Sequence, residues 1–464
     1  MANFKSPAIF YSFSFCPNPD WKSFCPGGPE IVEYLQGVCE KYQIVDKIQL
    51  NSDVVEARWL ESEQVWELTI CHLVFGFGDL SSSDRTLKVQ AAGLQSPYTH
   101  EEKVRCKILV SGVGGLVEPK PFPEGIPGQE RFQGQIFHSA RWNYDVDLKD
   151  KNIVVVGTGA SATQFVPELI PRYSAKSVTQ LMRSPPWVLP RSTPPLGHEG
   201  WDQWSPWLAK NVPGYGKLTR FVIFSIIETD WLLFGTGPNN ERARKKLEEK
   251  LLEYIRTTPK KYHEILTPNY VVGCKRRIFD VKWFDSLKDP NIELTTLPLT
   301  SVAEKTVTLG PGRTYPPPRA GENIPSDSQL EIPADVIILA NGFDTTAWFH
   351  PLQVYGRGGK QLHDVFAERG GPQMYMGLVM DGFPNFFTLW GPNTITGHSS
   401  AILAIENMVN LSLKFVKPIL NGEVVRTEIK KKAEIEWAED IQRASKKLIW
   451  YTPNCRSWYV NVSA

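Results

Sequence analysis

The sequence predicts an α/β fold in which one strand–helix–strand unit is inserted into a larger one, and three observations carry this. The first is IVVVGTGASATQ at residues 153–164, where four apolar residues run straight into a glycine turn. A continuous apolar run of this length suits a parallel strand covered on both faces. The second is ADVIILA at 334–340, another such strand ending at Asn341 and Gly342. The third is the alternation of strand-like and helix-like runs along the chain, without an internal repeat, which belongs to α/β architecture.

The turn has the pattern G-x-G-x-x-A. Gly157 permits the tight bend, Gly159 lets the backbone approach a pyrophosphate, and Ala162 lets helix and strand pack closely. The helix running towards Leu169 points its positive end at the phosphates. Thr158, Ala160, Ser161 and Gln164 complete this cofactor-binding loop. A second strand at 177–182 ends at Arg183 and Ser184, where an NAD site would carry an acid for the ribose hydroxyl. A cation there suits a 2′-phosphate, so NADP(H) is expected.

The chain has 464 residues, enough for two or three domains. Its 42% apolar and 22% charged content is ordinary for a globular protein, and a net charge of +1 gives no reason to expect nucleic acid as a partner. Seven cysteines are scattered without a C-x-x-C pair. That argues against a disulfide framework or a metal site and for a reducing compartment. No secretory signal is read at 8–15, which is too short and too rich in serine. The apolar run at 221–227 is interrupted by Glu228 and Asp230. A spanning helix needs about 20 apolar residues, so this run predicts a buried or interfacial helix, and the protein is expected to be cytoplasmic.

In chain order, 29–42 predicts an amphipathic helix with Ile31, Tyr34, Leu35, Val38, Cys39 and Tyr42 on one face. Residues 54–59 and 65–70, joined by polar 60–64, predict a hairpin. Residues 81–85 read as a loop, 106–111 as a buried strand before Gly112, Gly114 and Gly115, and 119–127 as a proline-rich connector. From 185 to 238 the pattern is irregular and rich in Trp and Pro. Trp201, Trp204 and Trp207 are expected to pack in a core, with pocket lining as the alternative. Residues 240–256 predict a helix with Leu247, Leu251, Tyr254 and Ile255 inside, 293–307 strands, and 309–328 a surface loop. A long helix follows GPNTITGHSS to about Lys414, and the tail is helical until Trp458 and Tyr459. The expected domains are 1–145, then 146–332 with a helical insertion at about 195–270, then 333–464 completing the first.

FQGQIFHSARW at 132–142 places Phe132, Gly134, His138 and Trp142 at the spacing F-x-G-x-x-x-H-x-x-x-W. This resembles the fingerprint of Baeyer–Villiger monooxygenases, flavoproteins with two dinucleotide domains that use FAD, NADPH and O₂. Asn143 departs from the Pro or Asp usual there. YSFSFCPNPDW, EIVEYLQGVCEKY, RSPPWVLP, GCKR, ANGFD, FPNFFTLWGPN, GHSSAI and SWY are similar to blocks of the same family, especially its filamentous-fungal members, over nearly the whole chain. The resemblance implies an NADP Rossmann domain inserted in an FAD domain, with His138 a coupling residue in the link between them.

In this family NADPH reduces FAD, O₂ is activated on the flavin, and a ketone becomes an ester or lactone. The flavin carries that chemistry and the protein supplies placement and charge. An anionic oxygen species needs a fixed cation in a water-poor site. By resemblance Arg276 in GCKR is that catalytic cation, and Lys275 holds the 2′-phosphate with Arg183 and Ser184. Trp458 resembles a residue covering the nicotinamide. Tyr11, Val54 and Ala401 fall where family members touch FAD, and Gly342, Trp390 and Asn393 near the flavin. The family's own first G-x-G-x-x-G loop for FAD has no counterpart before Tyr11, and Lys5 stands where an aspartate would pair with the arginine. Weak FAD affinity is therefore expected unless another chain supplies that unit. The substrate is expected to be a small ketone, in fungal secondary metabolism such as an aromatic polyketide route. An NADP-binding remnant or interaction protein, and an N- or S-oxygenating flavoprotein, are the alternatives.

Overall fold

Five parallel strands frame the molecule, in the order Ile292–Thr295, Ser177–Leu181, Asn152–Val156, Val336–Leu339, Gln135–His138. The computed structural model describes residues 7–78, 80, 82–191, 193–194, 197–280, 282–317, 329–395, 398–457 and 459–460. Side chains alternate across a strand, so the sheet feeds two cores. Ile153, Val155, Val178 and Ile338 pack with the Ala162–Leu169 helix on one face. Val154, Ile337 and Leu339 pack on the other, against the antiparallel strands Leu299–Val302, Thr306–Leu309 and Leu330–Pro333. Each such buried side chain contributes about 1.5–3 kcal/mol. The expected 146–332 range leaves out two members of this sheet, since Ile136 pairs with Ile337 and Ile337 with Val154.

A second sheet has the order Gln353–Tyr355, Ser52–Leu60, Val65–Leu73, Tyr98–Cys106 and contains the expected hairpin. Trp59, Trp66, Phe349 and Phe386 fill its core, and Trp66 Nε1 donates to Pro384 O at 2.9 Å. A short parallel pair, Leu109–Ser111 with Phe386–Thr388, lies beside the Ala401–Leu420 helix, which runs six residues past its expected end.

Several expectations are corrected. Residues 82–91 form a helix, Ser82–Ala91, rather than a loop. Ser and Asp favour turns, but the same hydrogen-bonding habit suits a helix start, and Asp84 in the first turn with Lys88 in the last complements the dipole. Residues 106–111 are not one strand. Cys106 ends one sheet and Leu109 begins another, with the Asn385 side chain holding Lys107 O at 2.9 Å where the chain crosses.

The irregular stretch is two helices, Gly197–Asn211 and Tyr215–Glu228. Three-residue spacing drifts about 60° round a helix per step. Trp201 accordingly packs edge-on to Phe24, while Trp204 and Trp207 are half exposed rather than core. The Tyr215–Glu228 helix buries no side chain fully, so the buried alternative for 221–227 fails. The Gly28–Lys41 helix forms as expected but fully buries only Val38. Among the described residues, no helix is long and apolar enough to cross a membrane.

Candidate active site

The glycine turn sits at the carboxyl end of the central strand, the side on which open α/β sheets bind ligands. Gly157 has φ 120°, and a Cβ there would stand 2.4 Å from Ala340 O, so only glycine fits. Around Gly159 nothing lies within 4 Å of a would-be Cβ, which leaves its face open to a ligand. Ala162 is fully buried at the helix start. Gln164 Nε2 donates to Ala160 O at 2.6 Å, Ser161 precedes the helix, and Thr158 is buried. These residues fit a dinucleotide pyrophosphate.

Sequence reasoning missed what holds the turn. Gln180, fully buried, donates to Gly157 O at 3.0 Å and accepts from Trp283 Nε1 at 2.9 Å. Asp280 in turn accepts from Trp283 N at 2.7 Å and from the Tyr254 hydroxyl at 2.7 Å. The available signal was an amide side chain one residue from the end of a strand otherwise suited to burial.

The cationic corner follows the neighbouring strand. Tyr270 ties two segments together: its carbonyl accepts from Trp187 Nε1 at 2.8 Å and its hydroxyl donates to Pro185 O at 2.6 Å. Lys275 is thereby placed with Nζ 3.0 Å from Ser184 Oγ and 4.5 Å from the centre of the Tyr270 ring. Burial, and then the charges of Arg183 and Arg456, push the Lys275 ammonium down to about 8. Arg183 and Arg276 are exposed, whereas Arg277 is paired with Asp230. The predicted partners of this corner are thus brought together, except that Trp458 and Lys5 lie outside the described residues.

Cys274 and Cys455 form a disulfide, with Cα atoms 5.6 Å apart across a sequence separation of 181. This overturns the expectation of unpaired cysteines and removes the support it gave to a reducing compartment. Pairing across such a distance leaves no spacing signal in the chain. The other described cysteines are free. Trp450 anchors the same tail, donating to Gly273 O at 3.3 Å and stacking on Tyr459 at 5.1 Å.

The fingerprint residues lie along the strand Gln135–His138 and its flanks. Gly134 is obligatory, since a Cβ would stand 2.2 Å from Asp335 O. Phe132 packs under the sheet, and Trp142 meets Phe137 and Phe165 edge-on, each at 5.3 Å. His138 is buried against Asn341 and Gly342, and burial lowers its pKa, keeping the ring neutral. Its Nε2 and the Asn341 Oδ1 are buried without a protein partner. Gly342 has φ 95° and an open face.

The other candidates gather elsewhere. Ser400 caps the Ala401–Leu420 helix, accepting from Leu403 N at 3.4 Å, and its hydroxyl donates to Phe10 O at 3.3 Å. That places Ala401 beside the segment carrying Tyr11. Trp390 N lies 3.2 Å from Met408 Sδ of the same helix, and Asn393 follows in a left-handed turn. Val54 does not join them; it packs on the core of the four-stranded sheet. Segment 228–234 bridges the two groups, for Asp230 pairs with Arg277 while Trp231 and Phe234 flank His398 at 5.6 Å each.

Known proteins share this fold. Residues 98–201 match the flavin-binding monooxygenase-like family. Among solved structures, an oxidized steroid monooxygenase bound to NADP superposes with TM-score 0.73 at 23% identity, covering 99% of this chain and 84% of the other. Cyclohexanone monooxygenase from Rhodococcus sp. Phi1 bound to NADP+ gives 0.71 at 22%, covering 97% and 81%. These likenesses bear out the expected two-dinucleotide flavoprotein fold. A Baeyer–Villiger monooxygenase of Pseudomonas aeruginosa is 31% identical over 451 residues, covering 97% of this chain and 75% of its own length. FAD-binding monooxygenase ktnD of Aspergillus niger is 31% identical, covering 97% and 67%. The chain belongs to the Baeyer–Villiger monooxygenase family.

Proposed function

We propose that the chain is an NADPH- and FAD-dependent monooxygenase that converts a ketone to an ester or lactone. The observation that carries this is the open glycine turn beside a cationic corner: Gly159 with Arg183 and Lys275 at the Ser184 hydroxyl. Gly157 to Gln164 hold the pyrophosphate of NADPH, and the cations hold its 2′-phosphate. The orphaned His138 Nε2 and Asn341 Oδ1, with the open face of Gly342, fit a polar ligand where the fingerprint strand ends. Tyr11, Trp390, Asn393 and Ala401 hold the flavin, and Val54, which packs on the four-stranded sheet, is left out of that group. Bound FAD supplies the redox chemistry with O₂. Arg276 holds a positive charge beside it, and the half-buried Arg277–Asp230 pair fixes the backbone from which Arg276 projects. His138 stays neutral and couples the two units. A fungal secondary-metabolic ketone, such as an aromatic polyketide, is the substrate we favour.

The test is purified protein supplied with FAD, NADPH and a panel of ketones. Ketone-stimulated NADPH oxidation with ester or lactone product supports the reading, and Arg276→Ala removes that product while keeping nucleotide binding. NADPH binding without any oxygenation leaves a non-catalytic NADP-binding protein, and N- or S-oxide products replace the ketone reading.

A further inference from the structure

We propose that Arg456 is the third cation of the 2′-phosphate cradle, carried there on the Cys274–Cys455 crosslink. The inference rests on the NADPH reading of the site. Lys275 and Arg456 are the residues that directly follow the two bonded cysteines, whose Cα atoms are 5.6 Å apart. The crosslink therefore brings together the two backbone segments that carry these cations, although the chain separates them widely. Lys275 Nζ is 3.0 Å from Ser184 Oγ, and Arg183 is the residue before that serine. Three segments thus bring Arg183, Lys275 and Arg456 within electrostatic reach of one another, with Lys275 on the Ser184 hydroxyl. The fields of Arg183 and Arg456 are both felt at Lys275, where they add to burial in disfavouring the ammonium.

Among the described residues, no carboxylate pairs with Arg183 or Arg456, whereas nearby Arg277 has Asp230. Like charges left together without a protein counter-ion suit a multiply charged anion. A phosphate monoester carries about −1.5 to −2 at neutral pH and accepts several charge-assisted hydrogen bonds. The tail is held on both sides of Arg456: Trp450 donates to Gly273 O, Cys455 is bonded to Cys274, and Tyr459 stacks on Trp450. Since NADH lacks the 2′-phosphate, Arg456 is a determinant of cofactor choice.

The test is calorimetric binding of NADP+ and NAD+ to the full chain and to Arg456→Gln, Arg456→Lys, Cys455→Ser and Arg183→Ala. Losing one charge-assisted contact predicts that Arg456→Gln weakens NADP+ about tenfold and leaves NAD+ within about twofold. Arg456→Lys recovers most of the loss, and Cys455→Ser reproduces it. Unchanged NADP+ affinity in Arg456→Gln, or an equal loss for both nucleotides, overturns the proposal. If Arg183→Ala loses the preference for NADP+ while Arg456→Gln keeps it, the proposal falls and the NADPH reading stands. If the unaltered chain shows no preference for NADP+, both fall.

Discussion

Lys275 Nζ donates to Ser184 Oγ across 3.0 Å, joining residues 91 positions apart at the end of the strand that follows the glycine turn. The contact makes one corner out of two loops, where burial and two neighbouring arginines act on the lysine.

Burial and the neighbouring arginines bring Lys275 from its ordinary 10.5 to about 8. The free protein therefore loses this charge as pH rises through 8, and NADP+ affinity falls over the same range with proton uptake on binding. NAD+ affinity stays flat. Because the native state binds fewer protons than the unfolded chain between pH 8 and 10.5, this group's contribution to stability rises with pH in that window. Calorimetry in buffers of different ionisation enthalpy, with Lys275→Met as the flat control, checks both.

The two glycines of the turn respond differently. Gly157→Ala meets the Ala340 carbonyl at 2.4 Å from a φ of 120°, and loses stability. Strain and overpacking together put that loss at about 3 kcal/mol or more. Gly159→Val faces open space and keeps the melting temperature while abolishing nucleotide binding. Paired melting and binding measurements separate the two.

Gln180→Leu fills its space but leaves Gly157 O and Trp283 Nε1 without partners. Buried unsatisfied groups cost about 1–3 kcal/mol each. Denaturant unfolding should show that loss, with weaker NADP+ binding in the protein that remains folded.

Glu434 is fully buried, and is bonded by the Arg369 guanidinium and by Asp381 N at 2.7 Å. Burial raises its pKa against the pull of these partners. Arg369→Met strands the carboxylate and costs about 3–5 kcal/mol, while Arg369→Met with Glu434→Met recovers much of it. The measurement is the shift of the unfolding midpoint.

The parts legible in the sequence were those where one physical rule acts alone. Val154 and Ile337 belong to continuous apolar runs because both sheet faces are covered, and Gly157 is read from the turn it must make. Leu251 and Ile255 follow helical periodicity. Long-range choices left no local trace. Cys274 could not announce Cys455, nor Gln180 its bond to Trp283. The Tyr98–Cys106 strand is one of charged residues, stabilised by Glu67 across from Lys103 and Arg105, so no apolar alternation marked it. Trp204 and Trp207 looked like core by size, yet their place on the helix turned them outward. Family likeness supplied the readings of Arg276 as a catalytic cation and of Tyr11, Ala401, Trp390 and Asn393 as flavin-binding residues, where periodicity alone gives a solvated loop and ordinary packing.

The bond from Cys274 to Cys455 closes a covalent ring that contains the strands Ile292–Thr295 and Val336–Leu339 and the whole Ala401–Leu420 helix. A single protease nick anywhere within that ring leaves the two pieces migrating as one band. They part on a gel only after thiol is added.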